Sequence, residues 1–356
     1  MKRKIIYALS ILLVLLLASC TSSSTYTGTG STSTRPDMPP GQMPPGGPNG
    51  ANRPEGNPPM GRPEGPGGPG MAGGAMGDKR TETDPYILSV IEEGKDRFLQ
   101  FTYEDSQTGI RLEYSLFIPD GYDAGKKYPL LMYIPDATAT GKSAKEIVEQ
   151  YFGADIWVTR DEQKKHESFV LVPAFSNTAT NDDWYVSDEV EILVNLIENL
   201  AHRYSIDEDR LYTTGQSMGC MASLYLNAKY PDLFAASLFV SGQWDVDVLS
   251  PLADASFFYI TAEGDAKATG GQKEVMDMLR LRSVEYSYGL WSAQKSEEEQ
   301  NESAKSLISK GNKANMIRFE EGTVLENSNE KSEHMASFNY GYRISAVRDW
   351  LFEQSR

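Results

Sequence analysis

Short apolar runs, separated by polar or glycine-containing turns, recur from residue 98 to the end of the chain. Phe98 to Tyr103 (FLQFTY) and Leu112 to Ile118 (LEYSLFI) read as two strands joined by the turn Asp105-Ser106-Gln107-Thr108-Gly109. Tyr128 to Ile134 (YPLLMYI) and Phe169 to Pro173 (FVLVP) are almost wholly apolar, which suits strands covered on both faces. Leu211 to Thr213, Ala235 to Val240, Phe257 to Thr261 and Met316 to Phe319 are further strand candidates. Between them lie stretches with helical spacing. Ser143 to Phe152 reads as a helix. Ser187 to Tyr204 carries Val190, Leu193, Ile197 and Leu200 on one face, with Ser187 as its cap. Tyr342 to Phe352 closes the chain as an amphipathic helix. Strands alternating with helices predict an α/β fold: a mostly parallel sheet with helices on both faces and an antiparallel N-terminal edge. Lys295 to Asn315 reads as a solvated helix and loop.

The segment around which the rest is arranged is LYTTGQSMGCMASL, Leu211 to Leu224. A β-prone run leads into Gly215-Gln216-Ser217-Met218-Gly219, and a helix-forming run follows. Strand, tight turn with a serine at its tip, then helix is the setting of a nucleophile elbow. The hydroxyl must stand clear of the sheet, and the two glycines let strand and helix pass close beside it. The helix directs its N-terminal N–H groups toward the hydroxyl, so the Met218 N–H is available to an oxyanion.

The N-terminus has a different character. Met1-Lys2-Arg3-Lys4 is basic, Ile5 to Ala18 is an apolar run too short to span a bilayer comfortably, and Leu17-Ala18-Ser19-Cys20 ends it. This resembles a bacterial lipoprotein signal, which implies that Cys20 is lipidated and that residues 1–20 are a signal peptide. From residue 21 to 77 the composition turns to Ser/Thr/Gly and then Pro/Gly, with near-repeats such as Asn52-Arg53-Pro54-Glu55-Gly56 and no helical or strand period. Such a stretch buries too little apolar surface to offset its ordering entropy, and it reads as a disordered tether. Residues 78–356 are left as one domain of about 280 residues. The expected location is extracytoplasmic, lipid-anchored to the bacterial cell membrane or surface.

Composition narrows the chemistry. The net charge of −16 lacks the basic footprint of a nucleic-acid binder. With Cys20 lipidated, the second of two cysteines, Cys220, has no disulfide partner and reads as a small buried helix residue. No metal-ligand spacing appears, so no metal and no cofactor is expected. A serine nucleophile needs a base, and the chain has three histidines. His166 lies in a charged stretch and reads as solvated surface; His202 lies near a helix end beside Arg203. His334 follows the last expected strand and is the candidate base by position and by elimination. For the orienting acid, Ala262-Glu263-Gly264-Asp265 follows a strand: Asp265 leads, Glu263 is next, and Asp245 and Asp247 are more distant. Trp184, Tyr185 and Gln216 are candidates to line the substrate pocket.

Together YPLLMYIPD, the run from Asp182 to Gly242 that contains the elbow, the TAEGD turn and EHMASFNYGYRISAVRDWLF resemble an α/β-hydrolase of the esterase and prolyl-oligopeptidase-like group. Its relatives include feruloyl esterases, polyhydroxybutyrate depolymerases and predicted secreted peptidases. The resemblance spans most of Phe98 to Phe352. It implies Ser217 as nucleophile, His334 as base and Asp265 as its partner. One departure stands out: relatives carry His-Gly after the strand YPLLMYI, where this chain has Pro135-Asp136. Pro135 has no N–H, so the second oxyanion donor falls to Asp136 or Ala137. An Asp136 carboxylate pointing inward would oppose the developing charge. The expected activity is carboxylester hydrolysis on a small or polymer-derived ester. The alternatives are a serine peptidase and a weakly active surface-binding protein. The oligomeric state is not readable from the sequence.

Overall fold

The computed structural model describes residues 84–356. The signal peptide, Cys20 and the tether fall outside the described residues. Strands β1 (Leu99–Glu104), β2 (Arg111–Phe117), β3 (Tyr128–Ile134), β4 (Phe169–Ala174), β5 (Ile206–Gln216), β6 (Ala236–Val240), β7 (Phe257–Ala262), β8 (Tyr286–Trp291) and β9 (Ala314–Phe319) form one sheet. Its order is β1-β2-β4-β3-β5-β6-β7-β9-β8. The β1–β2 and β2–β4 pairs are antiparallel and the rest are parallel.

The helices are α1 (Pro85–Gly94), α2 (Ala144–Val148), α3 (Phe152–Asp155), α4 (Arg160–Lys165), α5 (Asp188–Glu191), α6 (Leu193–Arg203), α7 (Met218–Lys229), α8 (Ala266–Leu281), α9 (Glu297–Ile308), α10 (Glu333–Arg343) and α11 (Ser345–Glu353). Among the described residues no helix is long and apolar enough to cross a membrane. The pleat sends Leu131 and Tyr133 to one face of the sheet, where they pack with Trp157, Phe258 and Tyr342. Leu130, Met132 and Ile134 go to the other face, against Leu193, Leu196 and Ala222. Both faces are covered, which is why the central strands read as unbroken apolar runs.

Several elements differ from the sequence expectation. The single helix expected over Ser143 to Phe152 is two short ones, α2 and α3, with Tyr151 extended between them. The helix expected from Ser187 breaks at Ile192 into α5 and α6, and Ser187 holds the cap position without a side-chain capping bond. The closing helix expected over Tyr342 to Phe352 is α11, starting at Ser345; Tyr342 and Arg343 instead end α10, and the extended backbone of Ile344 parts the two. β8 gave no clear pattern because an edge strand is only partly buried, and α8 because Gly270 and Gly271 interrupt its helix formers. Within the segment expected to be a solvated helix and loop, α9 is closed at its N-terminus by a Ser296–Glu299 capping box and buries Ala304 and Leu307.

Candidate active site

The site forms where the parallel strands end at their carboxyl edge, with β5 at the centre. Ser217 sits between β5 and α7 with φ 50° and ψ −117°, a conformation that side-chain-bearing residues rarely adopt. Its N–H is held by the Val240 carbonyl at 3.0 Å. The flanking glycines are required by contact: a Cβ on Gly215 would overlap the Gly219 carbonyl, and one on Gly219 would overlap the carbonyls of Ile134 and Pro135. α7 therefore crosses directly over the ends of β5 and β3. The Met218 N–H, at the first position of α7, has no intrahelical acceptor.

His334 lies in the first turn of α10; Ser332 caps that helix by accepting the Met335 N–H at 3.4 Å. His334 Nε2 is 2.8 Å from Ser217 Oγ, and His334 Nδ1 is 2.6 Å from Asp265 Oδ2. With the proton on Nδ1, donated to Asp265, Nε2 is left to accept from the serine hydroxyl. The Phe338 ring stands edge-on to the imidazole with centroids 5.1 Å apart. Asp265 is buried and caps α8, its Oδ1 accepting the Ala268 N–H at 3.3 Å. Both carboxylate oxygens are thus engaged, and the acid cannot swing away from the histidine without losing the cap. Glu263 is exposed, and Asp245 accepts the Asp247 N–H in a local turn, so neither serves His334.

The other sequence candidates separate. Asp136 is buried and caps a short 3-10 turn, Ala137–Ala139. Its Oδ1 accepts from the Thr138 N–H at 2.8 Å and the Thr138 hydroxyl at 2.6 Å, and its Oδ2 accepts from Gln216 Nε2 at 2.7 Å. The carboxylate is therefore turned into the loop and onto the residue before the nucleophile. Gln216 is buried and also accepts from the Tyr133 hydroxyl at 3.1 Å. Trp184 and Tyr185 are exposed; Trp184, at φ 62°, packs edge-on against the buried Trp244. Their loop is fastened to the elbow by Thr180, which donates to the Met218 carbonyl at 3.0 Å.

His166 is half-buried, not solvated: it stacks on Phe352 and lies 2.8 Å from Asp349, far in sequence from the site. His202 is exposed near the end of α6. Cys220 is buried, and burial pushes its thiol pKa up, which keeps it an unreactive thiol. Sequence reasoning missed Glu333, whose carboxylate accepts the Gly264 N–H at 2.9 Å and the Gly322 N–H at 2.6 Å. Its position next to His334 was a signal, but nothing local shows which loops it would reach.

Strand order, elbow and helix placement are those of an α/β-hydrolase. The Esterase family model matches residues 106–339, well over half of the chain. The chain belongs to that family. Among solved structures it is similar to a thermostable esterase, at 25% identity and TM-score 0.59, covering 73% of this chain and 64% of that one. It thus spans less than two thirds of that relative. It also shares its fold with the feruloyl esterase module from Clostridium thermocellum complexed with sinapinate, at 15% identity and TM-score 0.51, covering 78% of this chain and 93% of that one. No curated protein matches it.

Proposed function

We propose that this serine esterase cleaves carboxylesters through an acyl-enzyme, with Ser217 as nucleophile, His334 as general base and acid, and Asp265 as the group that orients it. The reading is carried by the hydrogen-bond chain Asp265–His334–Ser217 at 2.6 and 2.8 Å. His334 Nε2 takes the Ser217 proton as Oγ bonds to the acyl carbon. The tetrahedral oxyanion is received by the Met218 N–H and by an N–H of the Asp136–Ala137 loop. Collapse breaks the bond to the leaving oxygen, which takes the proton from His334. Water then repeats the sequence and frees the acid. The N-terminal pattern supports the second half of the reading: export, lipidation at Cys20, and a tether over residues 21–77 that holds the domain off the membrane surface.

Fluorophosphonate labelling of the full chain tests the chemistry. Wild type should label, while Ser217→Ala and His334→Ala should not, with turnover of a 4-nitrophenyl ester reduced on the order of 10⁴-fold or more. A folded wild type that neither labels nor turns over would defeat the reading. For the tether, Cys20→Ser should move the protein from the membrane fraction to the soluble one.

A further inference from the structure

Where β6 leaves the sheet, three consecutive residues touch both halves of the site. The Val240 carbonyl accepts the Ser217 N–H at 3.0 Å. Gly242 lies so close to the elbow that a Cβ there would stand 2.8 Å from the Ser217 carbonyl oxygen. Between them Ser241 is fully buried, and its N–H donates to the Ile260 carbonyl at 2.9 Å. Its backbone has φ 47°. Residues with a side chain seldom take that left-handed conformation, and glycine would take it at less cost. Strain of this kind persists where the surroundings enforce it, and it is found most often where a side chain has work to do.

The Ser241 hydroxyl leads to His334. Its Oγ lies 2.6 Å from the Oγ of Ser337 on α10, and the Ser337 hydroxyl donates to the His334 carbonyl at 2.9 Å. Each hydroxyl has one proton; that of Ser337 goes to His334, so Ser241 is the donor within the pair. Both serines are fully buried. A hydroxyl bonded to a carbonyl one turn back in its own helix is ordinary. Here the bond continues off the helix, to the strand end that also holds Ser217. Gly341 lets α10 come this near, since a Cβ there would stand 3.0 Å from Val240 Cγ1. We infer that Ser241 and Ser337 are positioning residues, which fix the backbone of His334 relative to Ser217 by tying both to the end of β6. Val240 sets the nucleophile and the next residue sets the base, so one strand end holds the 2.8 Å contact between them. The inference rests on the reading of Ser217 as nucleophile and His334 as base. It is separate from Glu333, which fastens the His334 turn to the Asp265 side.

The test compares full-length wild type, Ser241→Gly, Ser337→Ala and the double variant. Glycine removes the hydroxyl and accepts φ 47° without strain, so the denaturation midpoint of Ser241→Gly should stay close to that of wild type. Against one 4-nitrophenyl ester, each single variant should lose about tenfold in kcat with KM changed by no more than about twofold. The double variant should be no slower than the slower single one, because both substitutions break the same chain. The downfield proton of the His334–Asp265 hydrogen bond, followed by NMR, reads the placement of the imidazole without turnover. It should be sharp in wild type and broadened in both single variants. An unchanged kcat in either variant, losses that multiply in the double variant, a kcat loss matched by a marked fall in the Ser241→Gly midpoint, or a resonance indifferent to both substitutions would each overturn the assignment. A wild type that neither labels nor turns over would defeat the reading of Ser217 instead, and the resonance alone would then decide whether the serines hold His334.

Discussion

The Glu333 carboxylate accepts the Gly264 N–H at 2.9 Å, so the residue before His334 is tied to the residue before Asp265. One buried acid thereby sets the separation of His334 from Asp265, and through the Gly322 N–H it also anchors the loop after β9. A hydrogen bond to a charged acceptor contributes about 1.5–3 kcal/mol. Glu333→Ala should lower kcat by about tenfold or more with little change in KM, because it moves the base without touching the substrate. Glu333→Gln keeps one acceptor oxygen and should fall between. Steady-state kinetics against one 4-nitrophenyl ester would decide, and an unchanged kcat in Glu333→Ala would remove the positioning role.

Asp136 stands where relatives of this kind carry another residue, and its carboxylate is satisfied by Thr138 and Gln216 rather than aimed at an oxyanion. It braces the Asp136–Thr138 loop, the source of the proposed second N–H donor. Removing the charge should therefore slow the enzyme instead of relieving repulsion. We expect Asp136→Ala to cost about 10²-fold in kcat, comparable to losing one oxyanion donor, and Asp136→Asn to cost less. A rise in kcat for Asp136→Asn would mean that the carboxylate opposes the reaction after all.

Gly219→Ala places a methyl group against the carbonyls of Ile134 and Pro135, and backbone at the end of a central buried strand has no room to yield. The expected loss of stability is about 3 kcal/mol. It should appear as a lower chemical-denaturation midpoint together with loss of fluorophosphonate labelling. A variant of wild-type stability would show that the helix can move off the strand end.

Asp155 is fully buried, and among the described residues neither of its carboxylate oxygens has a hydrogen-bond partner. Desolvation raises its pKa well above the ordinary carboxylate range. The folded state thus holds this proton at pH values where the unfolded chain, with a pKa of about 3.9, has released it. The sign follows: the contribution is fully present below the unfolded pKa and is lost as pH rises toward the folded one. Asp155→Asn should flatten this part of the pH–stability curve and be more stable than wild type at neutral pH. Urea melts from pH 4 to 8 would show it, and a parallel shift of both proteins across that range would contradict it.

The strands of the sheet were legible in the sequence wherever burial on both faces leaves unbroken apolar runs, as at Tyr128 to Ile134. The elbow was legible because its requirements are local: a strained serine, glycines where strand and helix meet, and a helix that starts at once. β8 and the breaks at Ile192 and Ile344 were not, since edge burial and helix ends depend on which neighbours pack against them.

By itself, then, the sequence determined the class of fold, the place of the strained serine turn and the shortlist of side chains that could meet it, because these follow from short-range pattern and residue chemistry. Only the tertiary structure decided which carboxylate faces His334 across 69 residues of chain, that Asp136 turns away into its own loop, and that Glu333 fastens the turns carrying His334 and Asp265 together. The reason is physical. A carboxylate's role is fixed by the donors brought within about 3 Å of it, and those donors are delivered by strand order and helix packing rather than by neighbours in the chain.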